Sequence, residues 1–347
     1  MPVDMKTIAE RVGVSKTTVH RALTNVGRIS PETREKILKV AAELDYRPNN
    51  LARGLRSQKS LSIGFIAVGV ATSFSSTMLE GIEGVSSEIG YSLLVARSDG
   101  RPSREVHHAN IFREKRVDGM IIAPAHPEEN TDYYVRLRET GIPFVFVDRN
   151  MPRVESDYVM TDNYKGGYIA GKHLIGLGRK HIGFGCVTHN EQMATSVQER
   201  VRGLADALKE AGLEPPVMLG QGMPSFKPQE AFAAASVEKY LRDGGKLDGV
   251  LGANDNTAIG VITGLKNAGC SVPGDVSVIG FDDLDIAPYV QPALTTVRQP
   301  TGKIGEEAVR ILIDRVNSGS HAPYKHVLLP PELIIRESCG ARSKDQS

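Results

Sequence analysis

The sequence predicts a small all-α head joined to a two-lobed α/β body built on parallel sheets. Three observations predict it. The chain has 347 residues, more than one ordinary compact domain holds. Its charge is split: residues 1–60 carry twelve Lys/Arg and six Asp/Glu, net +6, while the remainder carries thirty basic and thirty-five acidic residues, net −5. The apolar pattern also changes near residue 61, from helical spacing to apolar strand-like runs separated by helix-patterned segments. At 40% apolar and 24% charged, the composition excludes wholesale disorder. Aromatics make up only 5% and Trp is absent, so aliphatic side chains must build the core.

The head reads as three short helices. Asp4 can accept the unpaired N–H groups of a first helix whose Ile8, Ala9 and Val12 share one face. Gly13 suits a left-handed turn after it. Ser15 can cap a second helix over Lys16–Thr24, with Val19, Ala22 and Leu23 turned inward. The short gap between these caps makes a tight helix–turn–helix corner. Ser30-Pro31-Glu32 starts a third helix with a cap, a first-turn proline and a first-turn acid. Its apolar stripe is Ile37, Val40, Ala41 and Leu44.

In such a unit the second helix enters the DNA major groove. Its outward residues are Lys16, Thr17, His20 and Arg21. Lys and Arg can pair with guanine O6 and N7, and Thr can touch a thymine methyl. A helical hairpin used only for packing is the plainer alternative. Pro48 stops the third helix, and Asn49 or Asn50 can cap a further short helix that is marginal on its own in water.

Residues 4–57 resemble the head and hinge of the lactose-repressor/galactose-repressor (LacI/GalR) family. The strings that carry the resemblance are Ile8-Ala9, Gly13-Val14-Ser15-Lys16, Thr18-Val19, Arg21, Ser30-Pro31-Glu32-Thr33-Arg34, Tyr46-Arg47-Pro48-Asn49, Leu51-Ala52-Arg53 and Leu55. The resemblance implies a DNA-binding domain over 1–47, a hinge helix and linker over 48–60, and an effector-binding and dimerisation body over 61–347. It also implies that Leu55 wedges open a central base step in the minor groove. Ser15, Thr18, Asn25 and Arg53 complete the candidate DNA-contacting set. The family usually has Ser at the position of His20, so this chain departs from it at a groove-facing site.

The body is expected to place strands at Leu61–Val70, Tyr91–Ala96, Val117–Pro124, Ile142–Asp148, His181–Val187, Leu247–Ala253 and Val276–Phe281, with a helix over Phe74–Glu88. Near-continuous apolar strands imply sheets covered on both faces, and some 280 residues of this pattern imply two lobes. Ligands of open α/β sheets bind beyond the carboxyl ends of the strands. Phe74, Asp148-Arg149, Asn254-Asp255 and Asp282-Asp283 stand there. Each acid alone is explained as a helix cap; their repetition, and the doubled acid at 282–283, favour a site. Carboxylates and amides suit polyol hydroxyls, and Phe74 can stack on a ring, which is the physical case for a sugar-like or nucleoside-like ligand.

The resemblance continues through Val117-Asp118-Gly119, Val147-Asp148-Arg149, Thr161-Asp162-Asn163, Gly178-Arg179-Lys180-His181-Ile182, Ala253-Asn254-Asp255, Gly280-Phe281-Asp282-Asp283 and Leu294-Thr295-Thr296-Val297-Arg298-Gln299-Pro300. It implies a body like periplasmic sugar-binding proteins, with lobe crossovers near Asp162, Gln291–Leu294 and His321–Lys325. Phe74, Asp148, Arg200, Asn254 and Asp282 match its effector positions, and the Arg200 guanidinium can hold two oxygens at once. Phe226 is a weaker match to an aromatic cleft position.

Other classes fit less well. Gly183-Phe184-Gly185 begins like a dinucleotide fingerprint but lacks the third glycine. No P-loop, HExxH or GxSxG is present, the nine histidines lack metal-ligand spacing, and Cys186 reads as a small buried residue. The three cysteines are too far apart for a metal clip. The longest apolar stretch, Ile63–Ala71, is too short to span a bilayer and too far in for a signal peptide. The expectation is a cytoplasmic homodimeric regulator, a repressor, needing no cofactor or metal. It binds near-palindromic operator DNA and answers to a sugar-like effector. No heptad repeat follows Arg336-Glu337-Ser338 to build a tetramer.

Overall fold

The computed structural model describes residues 4–24, 27–46, 59–186, 193–220, 229–319 and 322–341. The chain separates into two compact units, Met1–Ser60 and Leu61–Ser347.

The first unit holds α1 (Met5–Val12), α2 (Lys16–Thr24) and α3 (Pro31–Glu43). Local chemistry sets their ends. The Asp4 carboxylate accepts from the N–H groups of Lys6 and Thr7, both at 2.9 Å. Ser15 Oγ accepts from Thr18 N–H and Ser30 Oγ from Thr33 N–H. Gly13 closes α1 at φ 75°, where a side chain would be strained. Ile8, Ala9, Val19, Ala22, Ile37 and Ala41 form one buried cluster, so each helix contributes its apolar stripe to a common core.

The second unit is two six-stranded sheets, each covered on both faces by apolar clusters. The first sheet contains β1 (Ser62–Ala67), β2 (Ser92–Arg97), β3 (Gly119–Ile122), β4 (Phe144–Val147), β5 (Asp157–Thr161) and β11 (His326–Leu329). Its order is β11-β5-β4-β3-β1-β2 and every pair is parallel. The second contains β6 (Ile182–Gly185), β7 (Val217–Leu219), β8 (Gly249–Gly252), β9 (Ser277–Asp282), β10 (Thr295–Arg298) and β12 (Glu332–Ile334). Its order is β12-β10-β9-β8-β6-β7, parallel except for β12 on β10.

Crossover helices follow the strands: α4 (Ser73–Glu88), α5 (Pro102–Glu114) and α6 (Thr131–Glu139) in the first lobe; α7 (Asn163–Gly176), α8 (Thr195–Glu210), α9 (Gln229–Arg242) and α10 (Asp255–Asn267) in the second. α11 (Thr301–Ser318) returns to pack on α4 and the first sheet. α7 and α8 lie unusually close. A Cβ on Gly167 would collide with the Arg200 carbonyl, and one on Gly203 with that of Tyr164.

Sheet membership puts the lobe crossings at 161–163, 298–301 and 329–332. The last two correct the expectation of Gln291–Leu294 and His321–Lys325. Leu294 leads into β10, which pairs with β9, so the chain is still in the second lobe there. Residues 322–325 already belong to the first lobe. Asp157 accepts from Lys325 N–H at 2.8 Å, and Arg315 donates to the Pro323 carbonyl at 3.0 Å. Strands β5, β7, β10, β11 and β12 had no counterpart in the sequence reading; β1, β3, β4, β6 and β8 are shorter than expected, while β2 and β9 keep the expected length, shifted by one residue.

Candidate functional site

On the head, Lys16, Thr17 and Arg21 are exposed on one side of α2 and His20 is half-buried. The inward side holds Val19 and Ala22. Lys16 and Arg21 form no ion pair among the described residues, which leaves a cationic face. Ser15 and Thr18 are also engaged locally, their hydroxyls 2.8 Å apart at the helix start. Asn25, Arg53 and Leu55 lie outside the described residues, as does Phe226.

In the body, a cleft of about 950 Å³ is lined by the carboxyl ends of strands and the first turns of helices from both lobes. Phe74, Asp148, Arg200, Asn254 and Asp282 all line it. Phe74 sits in the first turn of α4, half-buried against the core beneath β1. Asp148 follows β4 in a left-handed conformation, φ 66°, uncommon for a residue with a side chain. Both Nε and Nη2 of Arg149 donate to its Oδ2, at 2.9 and 2.8 Å. This pairing partly neutralises the acid while keeping it at the cleft wall.

Arg200 projects from α8 with 4% of its surface exposed. Its Nε donates to Asn163 Oδ1 at 2.8 Å and its Nη1 to the Ala253 carbonyl. The guanidinium lies 3.7 Å from the Phe281 ring centroid, and Nη1 is 3.9 Å from Asp282 Oδ1. Burial lowers its pKa, and Asp282 pulls it back up. Asp282 ends β9 at φ 118°. Burial raises its carboxyl to about 7, against the opposing pull of Arg200 and a 2.6 Å hydrogen bond from Gln299. Backbone strain of this kind gathers at ligand sites, where surrounding contacts over-determine it.

Asn254 is both cap and wall. Its Oδ1 accepts from Thr257 N–H at 2.8 Å, and its Nδ2 is 3.4 Å from Gln229 Oε1. The neighbouring acids serve the scaffold. Asp255 accepts from Thr296 Oγ1 and Leu284 N–H, and burial pushes it up to about 8. Asp283 binds Arg298 and Arg336, each at 2.7 Å. The doubled acid at 282–283 therefore supplies one cleft carboxylate, and its partner braces the strands behind it.

The sequence reading missed Arg149 as the partner of Asp148, and the cleft residues Arg101, His126, Glu129 and Ser196. Arg101 and His126 each lie four residues past the ends of β2 and β3, beyond the residues directly after a strand to which the strand-end rule was applied. Cys186 lines the cleft too, but burial raises its thiol to about 12, so it is no nucleophile at neutral pH. Among the described residues no group of His, Cys, Asp and Glu is arranged to hold a metal ion, and no helix is long and apolar enough to cross a membrane.

Comparison with known proteins gives two family matches: bacterial regulatory proteins, lacI family, over residues 4–49, and a periplasmic binding protein-like domain over 172–339. The HTH-type transcriptional regulator DegA of Bacillus subtilis (strain 168) is 33% identical over 340 residues, covering 95% of this chain and 96% of DegA. The HTH-type transcriptional repressor PurR of Aliivibrio salmonicida is 30% identical over 335 residues, covering 96% and 98%. The lac repressor dimer bound to operator and the anti-inducer ONPF superposes with a TM-score of 0.84 at 25% identity, covering 98% of this chain and 100% of that one. The transcriptional regulator CelR in complex with cellobiose gives 0.69 at 27% identity, covering 97% and 99%.

Proposed function

The chain belongs to the LacI family of bacterial regulatory proteins, and on that premise we propose how its head and cleft share the control of transcription. It is a DNA-binding transcriptional regulator with a ligand-binding body. In the proposed reading it is a repressor, not an enzyme, and acts in the cytoplasm, where operator DNA lies. The head spans 1–47, the hinge 48–60 and the body 61–347. A homodimer sets two copies of α2 in major grooves about one helical turn apart on a near-palindromic operator. Ser15, Lys16, Thr17, Thr18, His20, Arg21 and Asn25 form the groove and phosphate contacts, and Arg53 and Leu55 act at the minor groove.

The effector is a sugar or sugar-like metabolite held between the lobes. The observation that carries this is the polar cluster of Arg200, Asn254 and Asp282 on one wall, with Phe74 and Asp148 on the other, around one cleft. Arg200 and Asn254 offer donors and Asp282 an acceptor, which matches vicinal hydroxyls. Phe74 offers an apolar face to a ring. CelR in complex with cellobiose is a fold relative that binds such a ligand. Occupancy changes the lobe angle and so the spacing of the hinges, with a coupling of about 1–3 kcal/mol.

Selection of bound sequences from a random duplex library supplies the operator, and a sugar screen on the full-length protein supplies the effector. A palindromic consensus and a sugar-dependent change in its affinity are expected. Asp282→Ala should abolish that change and leave operator binding. A sugar response unaltered by Asp282→Ala would remove the residue from the site.

A further inference from the structure

The two charged residues of the second-lobe wall do not end at the cleft. Asp282 Oδ1 accepts from Gln299 Nε2 at 2.6 Å, and Gln299 Oε1 accepts from Thr161 Oγ1 at 2.6 Å. Arg200 Nε donates to Asn163 Oδ1, and Asn163 Nδ2 donates to the Thr161 carbonyl at 2.9 Å. Thr161, Asn163 and Gln299 are 1%, 4% and 4% exposed, so these bonds are shielded from competing water. Their places in the chain matter more. Thr161 ends β5 and Asn163 begins α7, on either side of the first lobe crossing. Gln299 lies in the second crossing, between β10 and α11. Any change of lobe angle must turn about these segments.

The donor order is fixed by chemistry. An ionised Asp282 only accepts, so the Gln299 amide must present its NH2 to it. Its carbonyl oxygen then faces Thr161, whose hydroxyl must donate. Glutamine is suited to this place because one end of its side chain both accepts and donates. A ligand hydroxyl that binds Asp282 shares the carboxylate with Gln299 and disturbs the relay at its cleft end.

We propose that Gln299 is a positioning residue that couples occupancy of the cleft to the lobe crossings, by bridging Asp282 to Thr161. The assignment rests on the reading of Asp282 as an effector contact. It makes a claim that reading does not: breaking the far end of the relay uncouples the sugar from DNA without removing the sugar's own contacts.

The test uses the full-length protein, its selected operator duplex, and cellobiose and D-ribose as probes. Two quantities are measured for each variant: sugar affinity by calorimetry, and operator affinity by fluorescence anisotropy with and without saturating sugar. Thr161→Val removes the hydroxyl at nearly constant shape, and Thr161→Ser keeps it. Thr161→Val should bind sugar within roughly threefold of wild type, an effect confined to one link. The factor by which sugar changes operator affinity, about 5- to 150-fold in such couplings, should fall toward one. Thr161→Ser should restore it.

Should Thr161→Val fail to fold, Gln299→Glu gives a second measurement. Its new carboxylate faces Asp282, which also faces Arg200, Asp148, Arg149 and Asp255. Coupling relative to wild type should persist at pH 5, where the two carboxyls share a proton, and be lost at pH 8. Full coupling in Thr161→Val, or in Gln299→Glu at pH 8, overturns the assignment and leaves the effector reading intact. A wild type that responds to neither sugar overturns the sugar reading, and this assignment with it.

Discussion

Effector binding should be proton-linked, and Asp282 sets the sign. Burial raises its carboxyl to about 7 in the folded protein, from an ordinary value of 3.8. A sugar hydroxyl donates to the ionised form, so below pH 7 a proton competes with the sugar for the same oxygen. If the bound state holds Asp282 ionised throughout, affinity falls about tenfold for each pH unit below 7, one pKa unit being about 1.4 kcal/mol. From pH 8 to pH 5 the loss is therefore roughly two orders of magnitude. The same shift acts on stability with the opposite sense. An acid with a raised folded pKa contributes stability that is full below its unfolded pKa and is lost as pH rises through the folded one. The unliganded body should thus become less stable between about pH 4 and pH 7 on account of this group, while its sugar affinity climbs. Calorimetry of the full-length protein with its sugar, across pH 5 to 8 at constant ionic strength, reads the slope. Asp282→Asn should flatten it. A wild-type affinity that does not change over this range would refute the role of Asp282 as the hydroxyl acceptor.

Four further outcomes are expected. Arg200→Ala strips Asp282 of its cation and leaves Asn163 and the Ala253 carbonyl without their donor; chemical denaturation should show a loss of about 3–5 kcal/mol. The sugar response should vanish with it, and Arg200→Lys should not rescue it, because lysine lacks the planar fork. Gly167→Ala drives a methyl into the Arg200 carbonyl, so it should cost about 1–3 kcal/mol and weaken sugar binding together, as read by thermal melts with and without sugar. Thr257→Val removes a buried hydroxyl that has no partner among the described residues and should leave the melting temperature unchanged or raise it, a gain of up to about 3 kcal/mol. Lys16→Ala, on the exposed face of α2, should weaken operator binding and lower the slope of log affinity against log salt by about one if the lysine meets a phosphate.

The starts of the head helices and the end of α1 were legible because caps are local, whereas α3 ends at Glu43, ahead of the stop expected at Pro48. Asp4, Gly13, Ser15 and Ser30-Pro31 act within a few residues of themselves, so their spacing in the sequence is already their geometry. Central strands such as β1, β3 and β4 were legible because burial on both faces leaves an unbroken apolar run. Strands β11 and β12 were not. They are short edge strands with exposed or half-exposed positions, and their apolar signal is no stronger than that of a loop. Missing β10 and β11 also displaced two of the expected lobe crossings, since a crossing is defined by which sheet its flanking strands join.

The sequence by itself determined the secondary-structure alternation, the basic head, and the acids and amides at strand ends. Those properties depend on neighbours in the chain. The family resemblance pointed to Asp282, but only tertiary structure gave the physical reason that this acid and not its neighbour faces the cleft. Asp282 and Asp283 are adjacent in sequence, yet one lines the cavity and the other is held between Arg298 and Arg336. It alone showed that Asn254 caps a helix and walls the cleft at once, and that Gln299 joins Asp282 to Thr161, which lies 138 residues before Gln299 in the chain. The physical reason is the same in each case. A side chain's charge state and partners are set by what packs against it, and in a chain that crosses between two lobes three times those neighbours come from distant segments.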